Sequence, residues 1–249
     1  MRSNSQHRVR SKAVVTVAAG LFLAANSWAQ GDVTLSFSQM ATGPLPAPWH
    51  FATLPKKNAT EFSVVEVDGQ HALRIATQDA YGNMVHTLHL TPSASPQLQW
   101  RWRVDHLVEK ADITRKAGDD SALKLCVSFD YDRSQLSLGE RTKLRLGKIS
   151  TGEDIPAETL CYVWDNKQPV GSTHHNAFTH RMRYIVLQSG NQHLGQWMTE
   201  QRNLAADYAQ VFGDESQAMP AIIGITVSAD SDNTHGSGLA YMGDIRLQP

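Results

Sequence analysis

Residues 100–132 read WRWRVDHLVEKADITRKAGDDSALKLCVSFDYD, and their pattern decides the expected fold. Over residues 98–105, apolar side chains alternate with polar ones, three of them charged, which is the period-2 pattern of a strand with one buried face. Residues 123–130 repeat this alternation. The stretch therefore predicts two neighbouring antiparallel strands joined by a charged loop, with an apolar face and a charged face.

The charged face of this strand pair is the first candidate for a binding surface. It would carry Arg101, Arg103, Asp105, Lys124 and Asp130. The Gly118-Asp119-Asp120 turn would lie at its rim. These residues give a local surface of mixed charge, which we expect to contact a ligand.

The first 29 residues have the composition of an export signal. A basic segment precedes the apolar run AVVTVAAGLFLAA at 13–25, and Ser27-Trp28-Ala29 has the small-x-small form of a cleavage site. The alternative is a membrane anchor, but the run is shorter than the roughly 20 residues of a spanning helix. We expect residues 1–29 to be a signal peptide and the mature protein to be periplasmic or secreted, without membrane insertion after cleavage.

Residues 30–249 are expected to form one domain. The whole chain is 41% hydrophobic, enough for a substantial core, and its net charge of -1 argues against a general binder of nucleic acid or acidic membranes. Further strands are predicted at 61–67, 71–77, 159–164, 183–189, 221–228 and 239–247. Helices are predicted at 137–146, ended by Gly147, and at 203–212, ended by Gly213.

These elements predict a mainly β protein. The expected architecture is an antiparallel β-sandwich of jelly-roll type with one or two peripheral helices. In the last strand, Leu239, Tyr241, Ile245 and Leu247 are expected to share one face. The two cysteines, Cys126 and Cys161, both fall in predicted strands. A disulfide and two separate buried thiols are both open, because pairing depends on how the strands are placed.

Five blocks of sequence resemble a known family. They are WRWRVD at 100–105, KAGDDSA at 116–122, LCYVWDN at 160–166, GQWMTEQRNLAADYAQVFG at 195–213 and ADSDNTHGSGLAYMGDIRL at 229–247. In this order they resemble the uncharacterised bacterial domain of unknown function 3047 family, over nearly the whole mature chain. The resemblance implies no established activity, substrate or cofactor. More loosely, the closing Tyr241-Met242-Gly243-Asp244-Ile245 is similar to the last strand of jelly-roll sugar-binding modules.

Aromatic and charged side chains together suggest a carbohydrate site. Sugar rings stack on aromatic faces while charged and amide groups bond their hydroxyls. The alternative is that the aromatic residues belong to the core. The candidate ligand-binding residues are Arg101, Arg103, Lys124, Asp130, Tyr162, Trp164 and Trp197.

Carboxylates offer two further hypotheses. Asp119 or Asp120 with Glu200 would be an acid-base pair for a carbohydrate-active hydrolase or lyase, although Gly-Asp-Asp is also a common turn. Asp230, Asp232 and Asn233 supply oxygen ligands for calcium, although turns rich in Asp and Asn form without an ion.

The leading hypothesis is noncatalytic binding of a carbohydrate or cell-envelope glycan on the charged face. The alternatives are the hydrolase or lyase, and a structural envelope protein without a small ligand. Nucleic acid is not an expected partner.

Overall fold

The structure is a computed structural model that describes residues 1, 31–91, 93, 96–216 and 218–248. Apart from Met1, the predicted signal peptide lies outside the described residues. The strands are β1 (Val33–Leu35), β2 (Trp49–Ala52), β3 (Asn58–Ala59), β4 (Glu61–Val67), β5 (Gln70–Gln78), β6 (Ala80–Leu90), β7 (Gln97–His106), β8 (Ser121–Phe129), β9 (Glu158–Asp165), β10 (Thr173–His175), β11 (Met182–Ser189), β12 (Met198–Asn203), β13 (Ile222–Asp230) and β14 (Ser237–Gln248). The helices are α1 (Leu138–Thr151) and α2 (Leu204–Phe212).

The strands form two sheets that pack on each other. The first sheet has the order β12-β7-β14-β5-β4, with β1 beside β14. The second has the order β10-β11-β9-β8-β13-β6-β2, with β3 beside β6. Their pairs are antiparallel except for β9 with β11 and β3 with β6. The predicted antiparallel sandwich of jelly-roll type is confirmed.

The expected pairing of β7 with β8 is wrong, since the two strands lie in opposite sheets. Each has one strongly apolar face, and those faces meet across the core. The connection through residues 107–120 crosses between the sheets instead of closing a hairpin. Consequently Arg101 and Arg103 point outward from the first sheet, and Lys124 points to the far side of the second.

The far side of the second sheet is also covered. Its strands carry a smaller apolar cluster that includes Ile113, Val163 and Tyr184. Cys126 and Cys161 are direct partners across β8 and β9, and they form a disulfide with a Cα–Cα distance of 4.0 Å. The question left open by the sequence is therefore answered in favour of the disulfide.

The two predicted helices are present. Asn203 caps α2 at its start, as its side chain accepts from the Ala206 backbone N–H at 3.0 Å. The first helix runs past Gly147, where its end was predicted, and ends instead at Gly152 in the left-handed conformation. No described helix is long and apolar enough to cross a membrane.

Candidate functional site

The outer surface of the first sheet carries a group of charged and aromatic side chains. Alternation along β7 turns Arg101 and Arg103 outward, since Trp100 and Trp102 fill the core on the other side. Neighbouring strands add polar residues to the same surface. We call this surface the arginine face and define it as Gln99, Arg101, Arg103, Trp197, Tyr241, Asp244 and Arg246.

Two arginines of the arginine face, Arg101 and Arg103, each lie against an aromatic ring. The Arg101 guanidinium lies 4.7 Å from the centre of the Trp197 ring, and the Arg103 guanidinium lies 5.7 Å from that of Tyr241. Asp68 joins the two pairs, accepting hydrogen bonds from Arg103 Nη1 at 2.8 Å and from Trp197 Nε1 at 3.0 Å. These contacts fix the orientation of both rings.

A second carboxylate holds Arg103 in place. Asp105 accepts from Arg103 Nε at 2.5 Å and from Nη2 at 3.0 Å. The hydrogen bond with Asp105 is the largest cause of the raised pKa of Arg103. Arg103 is thus a fixed cation with its charge balanced. Arg101, in contrast, bonds the neutral side chain of Gln70.

Arg101 also lines a groove of about 450 Å³, so Trp197 is connected to this groove through its contact with the Arg101 guanidinium. The lining of the groove is rich in groups that donate or accept hydrogen bonds. Asp244 is the carboxylate among the described lining residues, and both of its oxygens are engaged by Ser38, through the backbone N–H at 2.9 Å and the hydroxyl at 2.7 Å. The lining residues are Ser38, Gln70, Gln99, Trp100, Arg101, Thr199, Asp244 and Arg246.

A β-bulge shapes this groove. The pairing of β14 with β7 jumps between Met242 and Ile245, which inserts one residue and reverses the alternation. Tyr241 consequently faces outward while Ile245 faces the core, so the expected shared face is wrong. At Gly243, an added Cβ would lie 2.5 Å from Cγ of Arg101. Glycine therefore lets the Arg101 side chain lie across β14.

The other candidate ligand-binding residues lie elsewhere. Tyr162 and Trp164 are core residues, with ring centres 5.0 Å from Trp100 and 5.9 Å from Trp102. Asp130 is exposed at the end of β8 in the other sheet. Tyr162 and Trp164 therefore belong to the core, the alternative given above. The seven candidate ligand-binding residues do not lie together on one face.

Lys124 belongs to a buried polar cluster on the far side of the second sheet. Its ammonium donates to both oxygens of Asp230, at 2.9 and 2.8 Å. Burial raises the pKa of Asp230 to about 6 and also raises that of Asp119. Burial alone would lower the pKa of Lys124, but the attraction of Asp230 and other neighbours outweighs it, so the pKa is raised. Lys124 is a structural counter-ion here.

The candidate acid-base residues do not form a pair. Asp120 accepts four hydrogen bonds from Asn233 and Thr234, at 2.6 to 3.1 Å, and so ties two loops together. Asp119 accepts from Asn176 on the far side of the second sheet. Glu200 lies on the inner side of the first sheet, where it accepts from Trp102 Nε1 at 3.2 Å. Glu200 therefore shares no groove with the two aspartates.

The predicted calcium ligands do not fit a calcium ion. Asp230 is held by Lys124, Asp232 pairs with Lys57 at 2.6 Å, and the Asn233 amide donates to Asp120. The two ammonium groups supply the positive charge that the ion would bring. Over the described ranges, no group of three or more His, Cys, Asp or Glu side chains is placed to hold a metal ion.

Sequence reasoning found Arg101, Arg103 and Trp197 but missed the rest of the arginine face. Its members Tyr241 and Arg246, and the residues Ser38 and Asp68 that contact it, come from distant parts of the chain and carry no local signal of meeting. Asp244 stands in a motif noted above, but residues 239–242 are all hydrophobic, so the sequence does not show where the bulge that orients Asp244 falls.

The family model described as "Protein of unknown function (DUF3047)" matches residues 47–246. The chain belongs to this family. The resemblance that the five sequence blocks predicted is thereby confirmed. No curated protein matches the sequence.

Among solved structures, this DUF3047 protein is similar to several at low identity. A family 12 xyloglucanase from Bacillus licheniformis has 8% identity and a TM-score of 0.41, over 88% of this chain and 99% of that one. TmCBM61 in complex with beta-1,4-galactotriose has 10% identity and a TM-score of 0.34, over 81% and 88%. The K2 cleaved adhesin domain of Lys-gingipain has 8% identity and a TM-score of 0.39, over 87% and 99%.

Proposed function

We propose that this protein binds a carbohydrate or cell-envelope glycan without cleaving it, in the groove of the arginine face. The observation that carries the proposal is the position of Arg101, which stacks on Trp197 and also lines a groove rich in hydrogen-bonding side chains. Trp197 supplies an aromatic edge for a sugar ring. Gln70, Gln99 and Thr199 supply amide and hydroxyl groups for its hydroxyls.

The charge of the groove favours a glycan with an acidic group. Arg246 is exposed, and no described carboxylate pairs with it, while Asp244 is already engaged by Ser38. Guanidinium groups bind carboxylates through two parallel hydrogen bonds. A uronic acid unit or another acidic substituent would meet Arg246 and Arg101 together.

The single carboxylate among the described lining residues favours binding over hydrolysis. Hydrolysis of a glycosidic bond generally uses two carboxyl groups about 5–10 Å apart across the sugar. Asp244 is the carboxylate among the described lining residues, and Ser38 occupies both of its oxygens. An acid-base mechanism needs a second carboxylate, and the described residues that line the groove do not supply one.

The proposal is tested with residues 30–249 and a panel of neutral and uronic-acid oligosaccharides. Binding is measured by calorimetry, and each mixture is analysed for shortened products. We expect at least one acidic oligosaccharide to bind without being cleaved. Trp197→Ala should weaken this binding about tenfold, because it removes the aromatic surface on which the sugar ring would pack.

A matched control is Arg74→Ala, an outward arginine on β5 of the same sheet that is not part of the arginine face. It should bind as the wild type does. Equal binding by Trp197→Ala, or accumulation of cleaved products, would contradict the proposal.

We also propose that residues 1–29 direct export and that the mature protein works in the periplasm or outside the cell. The composition of the segment supports this. Mass determination of the protein from the periplasmic and culture fractions should give a chain that begins near Gln30. An uncleaved chain retained in the cytoplasm would contradict export.

A further inference from the structure

Helix α1 presents an apolar stripe to solvent. Leu138 is 77% exposed, Leu146 is 59% exposed and Ile149 is 71% exposed. At about 100° per residue these three side chains lie within an arc of roughly 80°. The half-buried side of the helix, formed by Glu140, Leu144, Gly147 and Thr151, faces the opposite way. The stripe therefore points away from the protein.

Basic side chains flank this stripe. The helix holds four cations and one acidic residue, Glu140. Lys148 pairs with Asp154 at 3.3 Å, whereas Arg141, Lys143 and Arg145 form no ion pair with any described residue. An exposed apolar stripe with cations on both sides is typical of helices that lie in a membrane interface.

The body of the protein fixes the direction of the stripe. Glu140 binds Arg181 Nε at 3.1 Å, from the connection before β11. At Gly147 an added Cβ would lie 2.2 Å from the side chain of Ile155, so the helix rests closely on the chain that follows it. Because these contacts hold the inner side, the apolar stripe stays outward.

We propose that α1 docks the protein on an anionic lipid surface. Leu138, Leu146 and Ile149 enter the headgroup boundary, and the three unpaired cations face lipid phosphates. The helix has 14 residues, about 21 Å, shorter than the roughly 30 Å core of a bilayer, so it lies on the surface. The whole chain has a net charge of -1, so the attraction must come from a local group of cations such as that on α1 and not from the total charge.

Charge also argues against a second copy as the occupant. Two copies meeting through this stripe would bring Arg141, Lys143 and Arg145 of both chains together. Like charges brought close together in such an interface repel each other, whereas lipid phosphates neutralise them. The membrane is therefore the complementary partner.

The test is flotation of residues 30–249 with vesicles of phosphatidylglycerol and phosphatidylcholine, compared with pure phosphatidylcholine. We expect at least about tenfold stronger binding to the anionic vesicles, weakened by added salt. Leu146→Ser with Ile149→Ser, and separately Arg141→Glu with Arg145→Glu, should each lower this binding about tenfold. Val170→Ser, at a 63% exposed valine outside the helix, is the control for apolar loss, and Lys110→Glu is the control for charge.

Three results would overturn the proposal. These are equal binding to neutral vesicles, wild-type binding by both α1 variants, and a dimer in sedimentation that the Leu146→Ser, Ile149→Ser variant dissociates. The last would assign the stripe to a second copy. Circular dichroism checks that each variant is folded, and we expect the fold to be kept because the substituted positions are exposed. Because α1 is not part of the groove, this test is independent of the glycan proposal.

Discussion

At the residue scale, Lys124 shows how a buried charge is accommodated. Its side chain and that of Asp230 are each 6% exposed, and the pair is buried beneath the loops of the second sheet. Removing one member of a buried ion pair leaves the other charge without compensation. The loss of stability comes from the remaining partner, whose charge stays buried without a counter-ion.

Lys124→Met is therefore expected to lower the free energy of unfolding by about 3–5 kcal/mol, measured by urea denaturation at neutral pH. The loss should shrink as pH falls, because burial raises the pKa of Asp230 and the variant lacks the Lys124 charge that lowers it, so Asp230 takes up a proton at a higher pH than in the wild type. The control is Lys148→Met, which removes an ion pair exposed by 55% and 60% and should cost less than about 1 kcal/mol. Equal losses in the two variants would contradict a buried ion pair between Lys124 and Asp230.

The lowered pKa of Asp112 predicts that the stability of the protein depends on pH. Its carboxylate accepts from the Thr114 hydroxyl at 2.6 Å, the largest cause of a pKa held well below the ordinary 3.8, and Lys167 and Arg115 add to the effect. A lowered pKa stabilises the fold above the ordinary value, and that stability is lost as pH falls below it. Asp112→Asn should be less stable at neutral pH and should lose less stability between about pH 5 and pH 2.

Urea denaturation across that pH range measures the difference, with exposed Asp32→Asn as the control. A pH profile for Asp112→Asn that runs parallel to that of the wild type would contradict this role.

At the element scale, the disulfide joins β8 to β9 across 35 residues of chain. Closing a loop of this length restricts the unfolded chain, an effect of about 4 kcal/mol in the entropy model. The double variant Cys126→Ala, Cys161→Ala should lose up to this amount in urea denaturation. Adding a thiol reductant should destabilise the wild type and leave the double variant unchanged. A wild type insensitive to reductant while unfolded would mean that the bond does not form.

Because of the bulge in β14, a substitution at Gly243 is expected to change both stability and glycan affinity. In Gly243→Ala the new methyl group meets Cγ of Arg101, so Arg101 must leave Trp197. We expect a cost of about 1–3 kcal/mol in stability. We also expect affinity for the best acidic oligosaccharide to fall to that of Arg101→Ala, measured by calorimetry. Gly139→Ala, which has open space at its Cβ, is the control and should keep wild-type affinity.

At the scale of the whole molecule, alternation predicted most strands and their inward faces. It placed Trp100 and Trp102 in the core correctly. It did not predict that β7 and β8 lie in opposite sheets, because the loop at 107–120 is compatible with either path. It also missed the bulge at Gly243, since one inserted residue reverses a period-2 pattern without changing composition.

The candidate site was predictable only in part, for the same reason. Arg101 and Arg103 share a strand, and their common outward face follows from alternation. Lys124 was grouped with them only through the assumed pairing, and the structure separates it. The groove depends on Ser38, Asp244 and Arg246 meeting at a β-bulge, which is a property of the assembled sheet.

The proposed function depends on an acidic glycan binding in the groove of the arginine face, near the Arg101–Trp197 contact. The most direct measurement is the indole N–H spectrum of ¹⁵N-labelled residues 30–249 during titration with uronic-acid oligosaccharides. The Trp197 resonance should shift with saturation, while those of buried Trp102 and Trp164 stay in place. A saturable shift that spares Trp197, or no shift at any concentration up to about 10 mM, would contradict the claim, since weak specific sites still bind in the millimolar range.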